Sequence, residues 1–250
     1  MSFENLLYEV EEKIAWITIN RSDALNSLNP DVLREIKEAI ELADHSDDVG
    51  VVVLTGAGRA FCAGVDLKSL QGLESGDVGD TLNNIARETQ DKIAGARKVV
   101  IAMVNGFCLT GGLELALACD LLVAADEAKF GDTHVKWGLR CTWGMSQRLP
   151  RRVGELKARE MTYTAELVSG TDAAAIGLAN KSVPVSKLRA VVKEMADKIK
   201  QNSLDAISSH KILYSQSQRD TMASGLEREF NTMPEIGDTL ERLTGFVKKD

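Results

Sequence analysis

Apolar positions recur along the chain with two alternating periods, and the alternation divides it into elements. Leu6 to Asn20 alternates as two short strands around Glu11-Glu12-Lys13, a polar hairpin turn. Asn29 and Pro30 supply an N-cap and first-turn pair, after which Val32, Leu33, Ile36, Ala39, Ile40 and Ala43 repeat at helical spacing. Val51 to Leu54 is a continuous apolar run ending in Thr55-Gly56, which predicts a strand buried on both faces. A loop, Gly56 to Asp66, follows. The next helix is predicted over about Asp77 to Arg97, with Leu82, Ile85, Ala86, Ile93 and Ala94 facing inward, and it feeds a buried strand, Val99 to Val104. The pattern then repeats: Asn105-Gly106 is a turn signal, Gly111 to Cys119 a compact helix and Leu121 to Ala125 another buried strand.

This strand, loop, helix rhythm predicts an α/β fold with parallel-type strands whose loops collect at one end, where such folds place their chemistry. Past about Val185 the strand signals stop. Lys187 to Lys200, Ala206 to Gln216 and Asp238 to Lys248 read as amphipathic helices, so the expected division is a core over 1–190 and a helical region over 191–250 for subunit packing. At 250 residues and 44% hydrophobic content the chain can bury a full-sized core. The net charge of −7 makes nucleic acid an unsuitable partner and requires any anionic ligand to be met by a few local cations. Cys62, Cys108, Cys119 and Cys141 show no metal-type spacing and no disulfide framework. No metal site is expected. The start MSFENLLYEV lacks a basic segment followed by an apolar one, and the apolar runs are too short to span a bilayer, so a cytoplasmic location without membrane contact is expected.

Glu114 stands out chemically, because every neighbour in Thr110-Gly111-Gly112-Leu113-Glu114-Leu115-Ala116-Leu117-Ala118-Cys119 is small or apolar. Burying a carboxylate costs several kcal/mol, about, unless it is paired, hydrogen-bonded or neutralised by a raised pKa. Two readings are open: an acid/base group, or a structural glutamate that caps backbone or pairs an arginine. Gly111 opens the helix, where free N–H groups and the dipole favour an anionic oxygen, so its N–H is a candidate oxyanion donor. Phe61-Cys62-Ala63-Gly64-Val65-Asp66-Leu67 has the same small-residue character ahead of another element. The two loops follow consecutive buried strands and could converge on one oxygen.

Arg59 to Leu67, taken together with Val104-Asn105-Gly106, Gly111-Gly112-Leu113-Glu114, Ala118-Cys119-Asp120-Leu121, Ser146 to Arg151 and Ala173 to Val183, resembles the signature of the crotonase (enoyl-CoA hydratase/isomerase) superfamily over nearly the whole chain. The resemblance implies a spiral of ββα units with a helical C-terminal trimerisation region, a homo-trimer or homo-hexamer, and an acyl-CoA substrate with no other cofactor. By motif position the oxyanion donors would be the N–H groups of Val65 and Gly111. Ala63, Asp66 and Leu67 would line the adenine and pantetheine path. Phe230 and Phe246 keep the spacing of two family aromatics near CoA, and Lys249, like Lys68, would meet the nucleotide end.

The chain departs from the family pattern at the site. A typical hydratase of the family holds one water between two glutamates; Glu114 matches the first, but Phe130-Gly131-Asp132-Thr133-His134 places a histidine in the slot of the second. The usual proline-containing turn is replaced by Leu139 to Gly144. Histidine titrates near neutrality, so His134 can carry the second proton, with Asp132 as its orienting partner, or it can simply hydrogen-bond within the loop. Trp137 and Trp143 flank this segment and are read as the floor of an acyl pocket or as plain core, while the loop from about Leu70 to Asn84 shapes the pocket. The leading expectation is reversible hydration of a 2-enoyl-CoA to a 3-hydroxyacyl-CoA. The alternatives are an enoyl-CoA isomerase, a CoA-independent carbon-carbon hydrolase of the oxocamphor hydrolase type, and a non-catalytic binding paralogue, for which Arg148, Arg151 and Arg152 form the one evident basic cluster.

Overall fold

The structure is a computed structural model, and it describes residues 3–70, 79–217, 220–232 and 234–247. From the N-terminus come strands β1 (Leu6–Glu11) and β2 (Ile14–Ile19), helix α1 (Pro30–His45), strands β3 (Val51–Gly56) and β4 (Ala60–Cys62) and helix α2 (Asp80–Gly95). Then follow β5 (Val99–Val104), β6 (Phe107–Leu109), α3 (Gly111–Ala118), β7 (Leu121–Ala125), β8 (Lys129–Gly131), α4 (Met145–Val153) and α5 (Glu155–Thr164). The chain continues through β9 (Val168–Ser169), α6 (Gly170–Ala175), β10 (Lys181–Val183), α7 (Val185–Lys200), α8 (Leu204–Ser217), α9 (Met222–Asn231) and α10 (Thr239–Val247).

The β1–β2 hairpin turns at Glu12 and Lys13, whose φ angles of 50° and 63° are the left-handed pair that a two-residue turn needs between right-twisted strands. From β2 onward the main sheet is parallel, in the order β1-β2-β3-β5-β7-β10. Every residue of β3 and β5 is buried, which is why their sequences are continuous apolar runs rather than alternating ones. A second sheet, β4-β6-β8-β9, takes the strands that follow β3, β5 and β7. The chain therefore steps from one sheet to the other three times, β3 to β4, β5 to β6 and β7 to β8, and this is the expected spiral of ββα units. The second-sheet strands are two or three residues long, too short to show a period, so the sequence reads them as loop.

Some sequence expectations shift. Helix α2 begins at Asp80, and its buried stripe is Leu82, Ala86, Thr89, Gln90 and Ile93, with Ile85 half-buried and Ala94 exposed. Ala94 lies one residue, about 100°, round from Ile93, which takes it off the face. Two polar residues take inward places because they have partners: Thr89 Oγ1 donates to Leu33 O at 2.9 Å, and Gln90 Oε1 accepts from Arg148. Of the expected pocket loop, residues 71–78 lie outside the described residues, and Asn83 and Asn84 belong to α2. Helix α9 has no counterpart in the sequence reading, and its apolar residues Met222, Leu226 and Phe230 are all exposed.

Helix α7 joins the core through buried Leu188, Val192 and Ala196, and α8 is tied to it by a partly buried cation. Lys211 on α8 donates to the Asp120 carboxylate and to Lys98 O, both at 2.7 Å, while Asp120 also accepts from Val100 N–H at 2.8 Å. Burial pushes the Asp120 carboxyl pKa up, and the Lys211 ammonium opposes that shift. Lys211→Met leaves the carboxylate without its cation and is expected to destabilise the fold by about 2 kcal/mol. Urea denaturation reads this as a lower midpoint, and Lys211→Met combined with Asp120→Asn should recover part of it; an unchanged midpoint in the single variant would remove this pair from the account of how α8 docks.

Candidate active site

Glu114 sits in the first turns of α3 and is 1% exposed. Its Oε1 accepts two backbone N–H bonds, from Trp143 and from Met145, each at 3.0 Å. The first donor lies in the Leu139–Gly144 turn and the second opens α4. Its Oε2 instead faces His134 Nε2 at 3.6 Å. Burial pushes the Glu114 carboxyl up to about 7, against the lowering effect of His134 and of the two N–H donors. The carboxyl thus accepts from backbone on one oxygen and turns its other oxygen toward the imidazole ring.

His134 begins a short 3-10 turn, His134–Trp137, after β8, and it is 7% exposed. Its Nδ1–H donates to Asp132 Oδ1 at 2.6 Å, and its backbone N–H reaches the same oxygen at 3.3 Å. A carboxylate only accepts, so this contact sets the protonated nitrogen as Nδ1 and leaves Nε2 toward Glu114. Asp132 Oδ2 accepts from Thr162 Oγ1 at 2.7 Å. Burial alone would raise the Asp132 carboxyl, but the bonds from His134 and Thr162 outweigh it and hold the group below its ordinary value. The result is a row, Thr162, Asp132, His134, Glu114, whose last three members are buried. The sequence placed Asp132 beside His134; Thr162, thirty residues on in α5, carries no signal in a one-dimensional reading.

The two loops expected to converge do pack on one another. Gly64, at φ 103°, lies where a Cβ would meet Leu109 O at 3.2 Å and Thr110 Cβ at 3.3 Å. A Cβ on Gly112 would stand 2.3 Å from Cys62 O, so only glycine lets the start of α3 press against the β4 loop. Thr110, just before α3, adopts φ 52°, ψ −116°, a costly conformation for a β-branched residue. It is held there by its N–H on Gly131 O at 2.8 Å and its hydroxyl on Thr133 Oγ1 at 2.7 Å. The β4 loop is held from its other side: Ala63 N–H donates to Leu25 O, Leu28 N–H to Gly64 O and Asp66 N–H to Leu28 O, at 2.8 to 3.0 Å. Those bonds bypass Val65 N–H, and the helix ladder bypasses Gly111 N–H; among the described residues neither donates to a protein acceptor. Gly112→Ala should push the two loops apart, costing about 1–3 kcal/mol of stability. If thermal melting shows no loss in this variant, the close approach is not a requirement of the fold.

The remaining candidates separate. Ala63 and Val65 are half-buried at this junction, and Asp66 pairs Arg21 at 3.3 Å while accepting from Lys68 N–H at 3.1 Å. Leu67 and Lys68 are exposed at the mouth of the loop. Phe230 is 82% exposed on α9, which packs on α8, so a single chain does not bring it to the site. Phe246 falls in α10, and Lys249 lies outside the described residues. Trp137 is 61% exposed and does not floor a pocket, whereas Trp143 is buried. Arg148, Arg151 and Arg152 do not form a free basic patch: they are spent on Gln90 and Trp143 O, on Gln147, and on Cys119 O respectively. The four cysteines are free thiols, and burial pushes Cys62 up to about 12, which makes it a packing residue in the β4 loop. No helix among the described residues is long and apolar enough to cross a membrane.

The sequence profile of the enoyl-CoA hydratase/isomerase family matches residues 9–249. A probable enoyl-CoA hydratase of Rhizobium meliloti is 37% identical to this chain over 254 aligned residues, covering 100% of it and 97% of that protein. A crotonyl-CoA hydratase of Syntrophomonas wolfei is 35% identical, again covering 100% of this chain and 97% of that one. The crystal structure of an enoyl-CoA hydratase from Bacillus anthracis superposes with a TM-score of 0.89 at 32% identity, covering 98% of this chain and 97% of that chain.

Proposed function

Because the chain belongs to the enoyl-CoA hydratase/isomerase family and has the crotonase fold, we propose that it adds water reversibly to a 2-enoyl-CoA thioester, forming a 3-hydroxyacyl-CoA. The observation that carries the reading is the buried approach of Glu114 Oε2 to His134 Nε2 at 3.6 Å, with Asp132 behind the ring. Glu114 takes a proton from water as the oxygen bonds to the β-carbon. The thioester oxygen gains the electrons as an enolate, stabilised by the N–H groups of Val65 and Gly111. The reactive form is the one in which Glu114 is ionised and the proton shared by the pair sits on His134 Nε2, with Nδ1–H still given to Asp132; that Nε2–H then passes to the α-carbon. One proton enters the pair on Glu114 and one leaves it from His134, so the pair's count is unchanged, and transfer from Oε2 to Nε2 restores the starting state. The raised pKa of Glu114 supports this reading, since a carboxyl that ionises near neutrality can both take up a proton and release it again during turnover.

For the rest of the substrate, Ala63, Asp66 and Leu67 border the adenine and pantetheine, with Lys68 at the mouth for the nucleotide phosphates. The exposed row Met222, Leu226 and Phe230 supports assembly through the C-terminal helices into a trimer or hexamer, with a core at 1–190 and the packing region at 191–250. The test is incubation with crotonyl-CoA in ²H₂O. Loss of the conjugated-thioester absorbance with one deuterium at the α-carbon of 3-hydroxybutyryl-CoA supports hydration. Conversion of a 3-enoyl-CoA to the 2-enoyl isomer without water addition would replace the reading by isomerisation. Cleavage of a cyclic diketone with no binding of CoA would replace it by the hydrolase.

A further inference from the structure

The turn from Leu139 to Gly144 does more than donate the Trp143 N–H to Glu114. It carries Trp143, which is 4% exposed and stands against the start of α3: a Cβ on Gly111 would come within 2.7 Å of the six-membered edge of the indole. The other edge is tied down, with Nε1–H donating to Asn83 Oδ1 on α2 at 2.9 Å. Thr142 Oγ1 donates to the same oxygen at 2.7 Å, and Arg148 holds Trp143 O at 3.0 Å. The ring is therefore a fixed partition running from the first turn of α2 to the first turn of α3, with its own backbone N–H on the Glu114 carboxylate.

We propose that Trp143 closes the acyl end of the site and restricts the substrate to short-chain enoyl thioesters. The proposal rests on the hydratase reading above. In that reading the thioester oxygen lies at Gly111 N–H and the α- and β-carbons lie beside Glu114 and His134, so carbons beyond the β-position must run past the side chain that touches Gly111 and is covalently next to the Glu114 donors. That side chain is the indole. It is anchored at both edges and packed with the core, so it does not swing aside as a flexible Leu or Met would. Asn83 is a positioning residue for the wall, and the exposed Trp137 has no part in it.

Replacing the ring by methyl removes the wall while leaving the backbone N–H on Glu114 in place. Each further methylene that then finds an apolar place is worth about fourfold in binding. The experiment measures binding of butyryl-, octanoyl- and dodecanoyl-CoA by calorimetry, alongside kcat/KM for the matching 2-enoyl-CoA series, in wild type, Trp143→Ala and Trp143→Phe. Wild type is expected to favour the four-carbon ligand. Trp143→Ala should raise the octanoyl-to-butyryl ratio about tenfold or more, and Trp143→Phe, which keeps a ring but loses the Asn83 bond, should fall between. Should Trp143→Ala fail to fold, the Phe variant together with Asn83→Ala carries the same comparison.

A wild type that binds octanoyl-CoA as well as butyryl-CoA, or a Trp143→Ala protein with the wild-type ranking, overturns the wall. Ranked binding without hydration of crotonyl-CoA overturns the reaction but keeps the wall. Hydration without ranking does the reverse, and no binding of any acyl-CoA overturns both.

Discussion

Glu114→Gln is expected to lower kcat on crotonyl-CoA by about 10³-fold while making the folded chain more stable at alkaline pH. The two effects have separate causes. An amide cannot take a proton from water, which removes the base. The same amide fits the site: its oxygen can accept the Trp143 and Met145 N–H bonds, and its NH₂ faces His134 Nε2, which is unprotonated while Nδ1–H is given to Asp132. Stability changes because burial raises the Glu114 pKa from 4.5 to about 7. The folded chain then holds a proton that the unfolded chain has released, so the carboxyl's favourable contribution is complete below about 4.5 and is lost as pH rises through about 7. Above that, the wild type carries an ionised buried group that the variant lacks, a difference on the order of 3 kcal/mol at most. Urea midpoints at pH 5 and pH 8.5, about, should therefore diverge only at the higher value. An active Glu114→Gln protein would sink the acid/base assignment; an inactive one with equal midpoints at both pH values would show that the carboxyl is neither buried nor perturbed as described.

Asp132→Asn is expected to cut kcat by about a hundredfold and to move the alkaline limb of the pH–rate profile to lower pH, with KM little changed. The amide oxygen can still accept the His134 Nδ1–H, so the ring keeps its place. What is lost is the negative charge 2.6 Å from Nδ1, which stabilises positive charge on the ring. Since the Glu114–His134 pair needs one proton to work, it will give that proton up more readily. Thr162→Val, which removes the hydroxyl on Asp132 Oδ2, should move the limb the same way by less, because it leaves the carboxylate charge intact. A simple loss of folding would lower all rates without moving the limb, and a limb that stays put in Asp132→Asn would return His134 to a loop-holding role.

Where side chains repeat over several turns or strands, the one-dimensional pattern was enough to find the elements. The inward face of α1 falls on Val32, Leu33, Ile36, Ala39, Ile40 and Ala43 as the helical spacing predicts, β5 and β7 coincide with their apolar runs, and β3 continues two residues past its own. The three-residue strands β4, β6 and β8 escaped because pairing with sheet neighbours, not a period, makes them strands. Helix α9 escaped because its apolar face meets no core in this chain. Ala94 was assigned inward by composition, yet one residue's rotation about the α2 axis turns it to solvent.

At the site, the sequence determined which groups are chemically out of place: a carboxylate among apolar residues at Glu114, a histidine three residues past the Phe130-Gly131 pair, and glycines opening α3. Burial of a charge and freedom of a backbone are local costs, and local costs are visible one residue at a time. Only the tertiary structure decided what those groups face. Thr162 behind Asp132, Asn83 behind Trp143 and the segment from Arg21 to Leu28 clamping the β4 loop are each brought in from 30 to 60 residues away, about, by hydrogen bonds whose partners are ordinary polar groups in sequence. The tryptophans make the same point. Two identical side chains six residues apart differ because the turn at Gly144 and the bond to Asn83 draw Trp143 under α2 and over Gly111, while among the described residues no such anchor holds Trp137, which is exposed.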